Sequence, residues 1–247
     1  MARRRPAPPP AARARPARRA ALSGLGAALA ALAAPSLLAQ TPPSAVEAAA
    51  YAGLHAAAHR GDAAEIARLA AADRAALERR DGNGRTPLHV AAFARRHDAI
   101  RALVAAGADT GALDADRYDA VTIAAVADDE PTLELLLSLG ASPRLVTSRW
   151  HGTALIAAAH LGHDGAVRRL IAAGAPLDHV NTLHWTALIE AIVLGDGGPR
   201  HRACVRALLD AGASTRLADR EGRTPLALAR ANGHAAIAAM LEAAGAR

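Results

Sequence analysis

The side chains best able to do chemistry in this chain are its eleven histidines and its single cysteine. His160 and His163 are three residues apart, and His201 stands three residues before Cys204, so each pair could share one helical turn. Imidazole and thiolate groups are zinc ligands. Gly162 ends a helix between the first two histidines, however, and one histidine–cysteine pair is not a site. The sequence predicts no metal site. A metal-binding or metal-dependent accessory protein that uses some of these histidines remains an alternative.

Catalytic patterns are equally weak. No set of serine, histidine and acid, no phosphate-binding glycine loop and no isolated carboxylate pair stands out. We therefore expect a protein that is not an enzyme and that uses no cofactor. Cys204 has no partner for an internal disulfide, and we expect it to pack as a small apolar side chain.

The positive charge is confined to one end of the chain. All 29 basic residues are arginine, which indicates the coding bias of a GC-rich, bacterial genome. Seven of these arginines lie in residues 1–39, where there is no acid, so 22 arginines remain against 23 acidic residues. Nucleic-acid binding needs clustered positive charge, and this balance does not predict it.

Residues 1–39 have the parts of a signal peptide: an arginine-rich start, an apolar run from about Ala20 to Leu38, and a small residue before a polar one at Ala39-Gln40. Export by the general secretory or the twin-arginine route is expected, with a periplasmic or secreted product. An uncleaved inner-membrane tether and a cytoplasmic protein with a basic head are the alternatives. Residues 40–47 then form a linker.

A short phrase repeats along the rest of the chain. Residues 81–92 read DGNGRTPLHVAA and residues 219–230 read DREGRTPLALAR. The first phrase's Thr86 has equivalents at Asp119, Thr153, Thr186 and Thr224, spaced by 33, 34, 33 and 38 residues. A Gly-Ala pair recurs with the same period from residue 107. Two markers in one phase predict stacked structural units, with one insertion at 195–200.

Each residue type in the phrase has a local purpose. Thr86 can cap a helix N-terminus, Pro87 suits the first turn, and His89 stands where its ring can reach back toward the cap. Ile100, Leu103 and Val104 give a second helix its apolar stripe. The repeat therefore predicts pairs of helices joined by a short turn.

These motifs identify the chain as resembling the ankyrin-repeat family, whose phrase is met at 81–92 and again at 219–234. The resemblance implies an all-α solenoid of helix-turn-helix units joined by β-hairpin-like loops. The domain is expected at 48–247, in six units at about 48–80, 81–113, 114–147, 148–180, 181–218 and 219–247.

The resemblance also implies a monomeric, non-enzymatic module that binds another protein through a groove formed by the loop tips and the exposed faces of the first helices. Binding to a membrane after signal cleavage is not expected. The tip positions are Asn83, Arg85, Asp116, Tyr118, Arg149, Trp150, Trp185, Glu221 and Arg223. The helix positions are His59, Phe93, Val126, His160, Leu161, Val193 and Leu194.

Aromatic residues single out part of this surface. Beyond residue 39 the chain has five, and four of them, Phe93, Tyr118, Trp150 and Trp185, fall on the implied positions. Large aromatic side chains dominate binding energy at interfaces. We expect the site in the second to fifth units, although the two tryptophans could instead pack against adjacent tips. The insertion at 195–200 is either a flexible contact or a tolerated lengthening of a turn.

The signal-peptide prediction has a direct test. Expression of the whole chain in a bacterial host should give a soluble product whose N-terminus, determined by intact mass and N-terminal sequencing, lies near Gln40. A product that keeps residues 1–39 and sediments with membranes would support the tether instead.

Overall fold

The computed structural model describes residues 40–247, so the predicted signal peptide, residues 1–39, lies outside the described part. Thirteen α-helices occur in residues 40–247. They are α1 Ala45–Ala50, α2 Gly53–Arg60, α3 Ala63–Ala72, α4 Pro87–Phe93, α5 His97–Ala105, α6 Ala120–Val126, α7 Glu130–Ser138, α8 Ala154–Leu161, α9 Asp164–Ala172, α10 Ala187–Val193, α11 Pro199–Asp210, α12 Pro225–Ala231 and α13 Ala235–Ala243.

From α2 onward the helices form six antiparallel pairs that stack side by side. The first helices of the pairs (α2, α4, α6, α8, α10, α12) pack on one another as an inner layer, and the second helices pack as an outer layer. The described residues contain no strand, and one isolated bridge joins Thr147 to Gly152. The predicted all-α repeat solenoid is confirmed. None of the helices in residues 40–247 has the length and apolar character needed to span a bilayer.

The predicted caps hold the inner helices at their N-termini. The side chains of Asp119, Thr153, Thr186 and Thr224 each accept a backbone N–H from the first turn. At α4 the Thr86 N–H donates to His89 Nδ1 at 3.1 Å, which leaves the other ring nitrogen, Nε2, to donate to the Tyr118 carbonyl 2.9 Å away. His89 thus closes its own cap and ties the second unit to the third.

The loop tips are closed by one side chain each. Asp81 Oδ1 accepts the backbone N–H groups of Asn83 and Arg85, at 2.9 and 3.0 Å. The same pattern recurs with one polar residue at the start of each later tip: Asp114, Ser148, Asn181 and Asp219. Adjacent tips are also joined through the backbone, for example by the Thr182 N–H and the Trp150 carbonyl at 3.0 Å. The tips therefore form a continuous row with fixed spacing.

Residues 40–47, which the sequence predicts to be a linker, are held against the stack. Ser44 and Glu47 form a capping box that starts α1 inside this stretch. Arg85 donates to the Thr41 carbonyl at 2.8 Å and to Glu47 at 2.6 Å, and the Gln40 carboxamide donates to the Thr122 carbonyl at 3.2 Å. The segment therefore covers the tip of the second unit and reaches the third.

The insertion at 195–200 lengthens an outer helix. Pro199 and Arg200 begin α11, which has 12 residues. Arg200 reaches Asp128 in the third unit at 2.7 Å, and the His201 ring bonds Asp196 at 2.8 Å and the His160 carbonyl at 2.9 Å. The insertion and the residue that follows it thus make specific contacts across three units, which neither a flexible contact nor a tolerated lengthening of a turn had predicted.

Arg85 should be far more important for stability than its repeat equivalent. Both Arg85 and Arg223 bond an aspartate four residues earlier through Nε at 2.7 Å, but their side chains are 1% and 51% exposed. Removing one member of a buried ion pair costs about 3–5 kcal/mol. Removing Arg223 should cost less, because its guanidinium is half exposed to water even though its partner Asp219 is buried. We expect Arg85→Ala to lower the free energy of unfolding in urea by the larger amount and Arg223→Ala by the smaller. Equal losses would contradict the buried network.

Burial lowers the pKa of His89 to about 4, from its usual value of 6.5. Between these pH values the unfolded chain binds a proton at this histidine and the folded chain does not. Protonation therefore favours the unfolded chain, and the free energy of unfolding decreases as the pH falls from 6.5 toward 4. The loss should reach roughly 3 kcal/mol. The variant His89→Gln keeps a side chain able to cap but does not titrate. Urea unfolding at several pH values should show the wild type losing its advantage over this variant in that window.

The comparison with His89→Gln is needed because Asp119 changes the free energy of unfolding with pH in the opposite direction. Its burial raises the pKa of that carboxyl to about 6 from 3.8, so its stabilisation is present at low pH and is lost as the pH rises through that interval. Asp119 is common to both proteins and cancels in the difference. A difference in unfolding free energy that does not change with pH would contradict a neutral, buried His89.

Candidate functional site

A narrow cleft opens where the tips of the third to fifth units meet α6, α8 and α10. It has about 30 Å³ of free volume, which is room for one small chemical group. The tips contribute Tyr118, Trp150 and Asn181 to its walls, and the inner helices contribute Ile156, His160 and Glu190. The cleft thus lies in the predicted groove and near its centre.

The polar wall of the cleft is a hydrogen-bonded chain. Glu190 is 2% exposed, and its Oε1 accepts from Asn181 Nδ2 at 2.9 Å. Its Oε2 lies 3.0 Å from His160 Nδ1, and the His160 carbonyl accepts from His201. A carboxylate this deeply buried is costly unless both oxygens are bonded, and here both are. The chain fixes the carboxylate and the His160 ring in one orientation.

One donor in the cleft wall has no acceptor. The Trp150 indole Nε1 is buried, and no residue among 40–247 hydrogen-bonds to it. A buried N–H without a partner costs about 1–3 kcal/mol, so unpaired donors are rare in native structures. Trp150 itself is half-buried and lines the cleft. The nitrogen itself is closed off from solvent, so an acceptor reaches it only if neighbouring atoms move.

Most of the residues predicted from the sequence lie on this surface, but their side chains differ in how far they are buried. Phe93, Trp185 and Val193 are half-buried and pack against the core. Among the other predicted positions of the second to fifth units, Arg149 is exposed and the half-buried side chains are Asn83, Asp116, Val126, Trp150, His160, Leu161 and Leu194. The interpretation of a tryptophan packed on its own fold therefore fits Trp185 better than Trp150.

Two of the predicted residues are not accessible. Arg85 is 0% exposed, because segment 40–47 and Asp81 surround its guanidinium. Tyr118 is 4% exposed in the hydrophobic core cluster, and burial raises the pKa of its hydroxyl. Their placement at tip positions is as expected, but their side chains are not offered to a partner. Sequence reasoning could not see that the apparent linker would cover Arg85.

The histidines are used separately in the structure. His160 bonds Glu190 in the following unit, whereas His163 Nδ1 lies 2.9 Å from the Ala125 carbonyl in the preceding unit. Cys204 is fully buried, and burial raises the pKa of its thiol to about 12. Within residues 40–247 no group of three or more histidine, cysteine, aspartate or glutamate side chains is placed to hold a metal ion. The metal-binding alternative gains no support from this geometry.

Sequence reasoning missed Glu190 and Asn181, although a signal for the first was present. Glu190 is four residues after its capping threonine, a position occupied elsewhere by Val90, Ile123, Ala157 and Leu228. A single carboxylate in an otherwise apolar register indicates either a paired buried charge or a site. Asn181 carries no such signal, because it occupies the tip position at which Asp81, Asp114 and Asp219 stand in other units, and asparagine can close a tip in the same way.

Comparison with known proteins is consistent with this geometry. A family model described as ankyrin repeats (3 copies) matches residues 32–114 and 121–216. The ankyrin repeat protein YahD of Escherichia coli K12 is 38% identical over 167 residues, which cover 67% of this chain and 83% of that protein. The human ankyrin repeat and SOCS box protein 16 is 33% identical over 177 residues, covering 70% of this chain and 39% of its own length.

A solved structure shows the same fold. An ankyrin repeat domain from Acinetobacter baumannii AYE superposes with a TM-score of 0.72 at 41% sequence identity, covering 78% of this chain and 98% of that one. The family model covers well over half of the chain. The chain belongs to the ankyrin repeat family.

Proposed function

We propose that this protein is a non-enzymatic binding module that holds a partner protein in the groove of its third to fifth units. Ankyrin repeats generally mediate binding to other proteins, and the fold by itself does not choose a site. The cleft lined by Trp150, His160 and Glu190 supports this location, because it places a half-buried aromatic ring beside a buried polar network near the centre of the groove.

The surroundings of the cleft support a protein ligand. Val126, Leu161 and Leu194 are half-buried on three successive inner helices, so together they offer an apolar rim that can be desolvated by a partner. Segment 40–47 covers the tip of the second unit, and its hydrogen bonds extend to Asp116 and Thr122 of the third unit, which lie at one side of this region. We propose further that binding takes place after export, in the periplasm, on the strength of the leader in residues 1–39.

A capture experiment tests the site. The protein would be immobilised and exposed to a periplasmic extract beside the double variant Trp150→Ala, Leu161→Ala. Trp150 lines the cleft, Leu161 directly follows the cleft residue His160, and neither belongs to the core cluster. The matched control is Arg101→Ala, Arg206→Ala, in which two exposed arginines on outer helices α5 and α11 are removed. Thermal unfolding must first show equal stability of all three proteins.

We expect a partner that the wild type and the control retain and that the groove variant binds at least tenfold more weakly, since loss of a central aromatic residue costs about 2 kcal/mol or more. Equal capture by all three proteins would place the interface elsewhere. Capture by none of them would remove the main support for a binding module in that compartment.

A further inference from the structure

Three successive loop tips carry a basic side chain where the backbone favours glycine. These apex residues are Arg117, His151 and His184, in the third, fourth and fifth units, and their φ angles are 65°, 53° and 63°. The equivalent residues of the second and sixth units are Gly84 and Gly222, for which a positive φ carries no strain. A side chain at such a position is a cost to the fold, and strain of this kind is concentrated at functional sites.

The other non-glycine residues with positive φ use their side chains within the fold. Arg95 pairs with Asp129 at 3.4 Å, and Asp128 accepts from Arg200 at 2.7 Å. The Ser148 hydroxyl accepts two backbone N–H groups of its own tip. The three apex side chains differ from these, because they are exposed and form no hydrogen bond or ion pair with the rest of residues 40–247. Nothing within the described fold therefore offsets their strain.

No carboxylate of residues 40–247 is paired with the apex side chains. Three acids stand close to Arg117 in the sequence, but Asp114 and Asp119 are buried and accept backbone N–H groups. The third, Asp116, is bonded by Arg149 at 3.2 Å and by the Thr41 hydroxyl at 3.5 Å. The apex residues thus form a row of unpaired basic groups, and a row of carboxylates is its electrostatic complement.

The spacing of the tips restricts the conformation of such a ligand. Backbone bonds join the tips, from the Ser148 N–H to the Arg117 carbonyl at 2.9 Å and from the Thr182 N–H to the Trp150 carbonyl at 3.0 Å. The row therefore follows the stacking of the inner helices, and neighbouring helices pack about 8–10 Å apart. A polyproline II segment rises about 3.1 Å per residue with three residues per turn, so every third side chain lies on one side at roughly 9 Å intervals. In a β-strand every third side chain points to the opposite face.

We propose that the apex residues bind an acidic segment of the partner protein in the polyproline II conformation, with a glutamate or aspartate at every third position. Each carboxylate pairs with one apex side chain, while the rest of the partner contacts the apolar rim of the groove. The ligand is a protein and not a nucleic acid, because residues 40–247 hold 22 arginines against 23 acidic residues. This inference rests on the proposed function for its biological partner, but recognition of the acidic segment can be measured without that partner.

The test uses fluorescent peptides and the whole soluble protein at low salt and about pH 5.5, where an exposed histidine is largely protonated. One peptide repeats Glu-Pro-Pro three times, a second repeats Gln-Pro-Pro three times, and a third joins three glutamates to six prolines. We expect the first peptide to bind, and the other two to bind at least about fivefold more weakly, since three exposed ion pairs are lost or misplaced. No binding of the first peptide, or equal binding of all three, would overturn the proposal. Tighter binding of a short single-stranded oligonucleotide would do so as well.

A matched variant separates binding from a structural role. Arg117→Gly, His151→Gly, His184→Gly gives the middle tips the apex residue of the second and sixth units. Because glycine relieves the strain, this variant should unfold at the same temperature as the wild type or higher, while its affinity for the spaced glutamate peptide falls at least about fivefold. The control Arg101→Ala, Arg206→Ala should keep the affinity. A lower unfolding temperature with unchanged affinity would show that the apex side chains serve the fold.

The pH supplies an independent readout, because two of the apex residues are histidines, whose charge changes between about pH 5 and pH 8. Affinity for the spaced glutamate peptide should increase as the pH falls across this range. It should change less in His151→Asn, His184→Asn, since asparagine tolerates a positive φ and does not titrate. The same dependence in both proteins would contradict the proposal. Buried Asp119, whose pKa is raised to about 6, cancels in this comparison. The charged or titratable side chains of the same and adjacent tips also cancel: Asp114, Asp116, Arg149, His179, Arg220 and Glu221.

Failure of this proposal is distinguishable from failure of the proposed function. If the peptides do not bind but capture of a partner depends on Trp150 and Leu161, the groove is the interface and only the acidic segment is wrong. If the spaced peptide binds as expected and the extract yields no partner, the row of apex residues is a binding site and the proposed compartment is at fault.

Discussion

Each helix pair in this protein can bury its apolar face only against the next pair, and every other feature depends on that constraint. The inner helices are rich in alanine, and Ala91, Ala124, Ala158 and Ala191 are fully or almost fully buried between neighbours. Small side chains allow close stacking, which brings polar groups of adjacent units within hydrogen-bonding distance. The His89 and His201 rings then donate to the carbonyls of Tyr118 and His160, and these hydrogen bonds fix the position of each unit relative to its neighbour.

The same stacking places two buried charges in different situations. Arg85 is enclosed by Asp81, Glu47 and the Thr41 carbonyl, so the groove over the second unit is closed by the chain itself. Glu190 is also paired on both sides, but it lies in the wall of a cleft that Trp150 also lines. A fully bonded network such as that of Arg85 rigidifies the fold, whereas the network of Glu190 borders an open cleft.

The units that form the cleft depart most from the repeat phrase, and their backbone is strained at the tips. Gly84 and Gly222 have positive φ at the tips of the second and sixth units, where glycine is unstrained. The corresponding residues of the middle units are Arg117, His151 and His184, with φ of 65°, 53° and 63°. Non-glycine residues in this region cost of order 1 kcal/mol or more and persist where neighbouring structure holds them. The row of bonded tips supplies that support.

The repeat period, the helix pairs, their caps and the tip positions could be predicted from the amino-acid sequence, because they follow from local spacing and residue type. Thr86 and His89 could be assigned to a capping box, and Trp150 to a tip, without any tertiary information. The packing of the units was needed to establish that residues 40–47 cover Arg85, that Tyr118 turns into the core, and that Asn181, His160 and Glu190 meet at one cleft. These outcomes depend on contacts between residues up to 44 positions apart, which the stacking distance between units sets and no local pattern encodes.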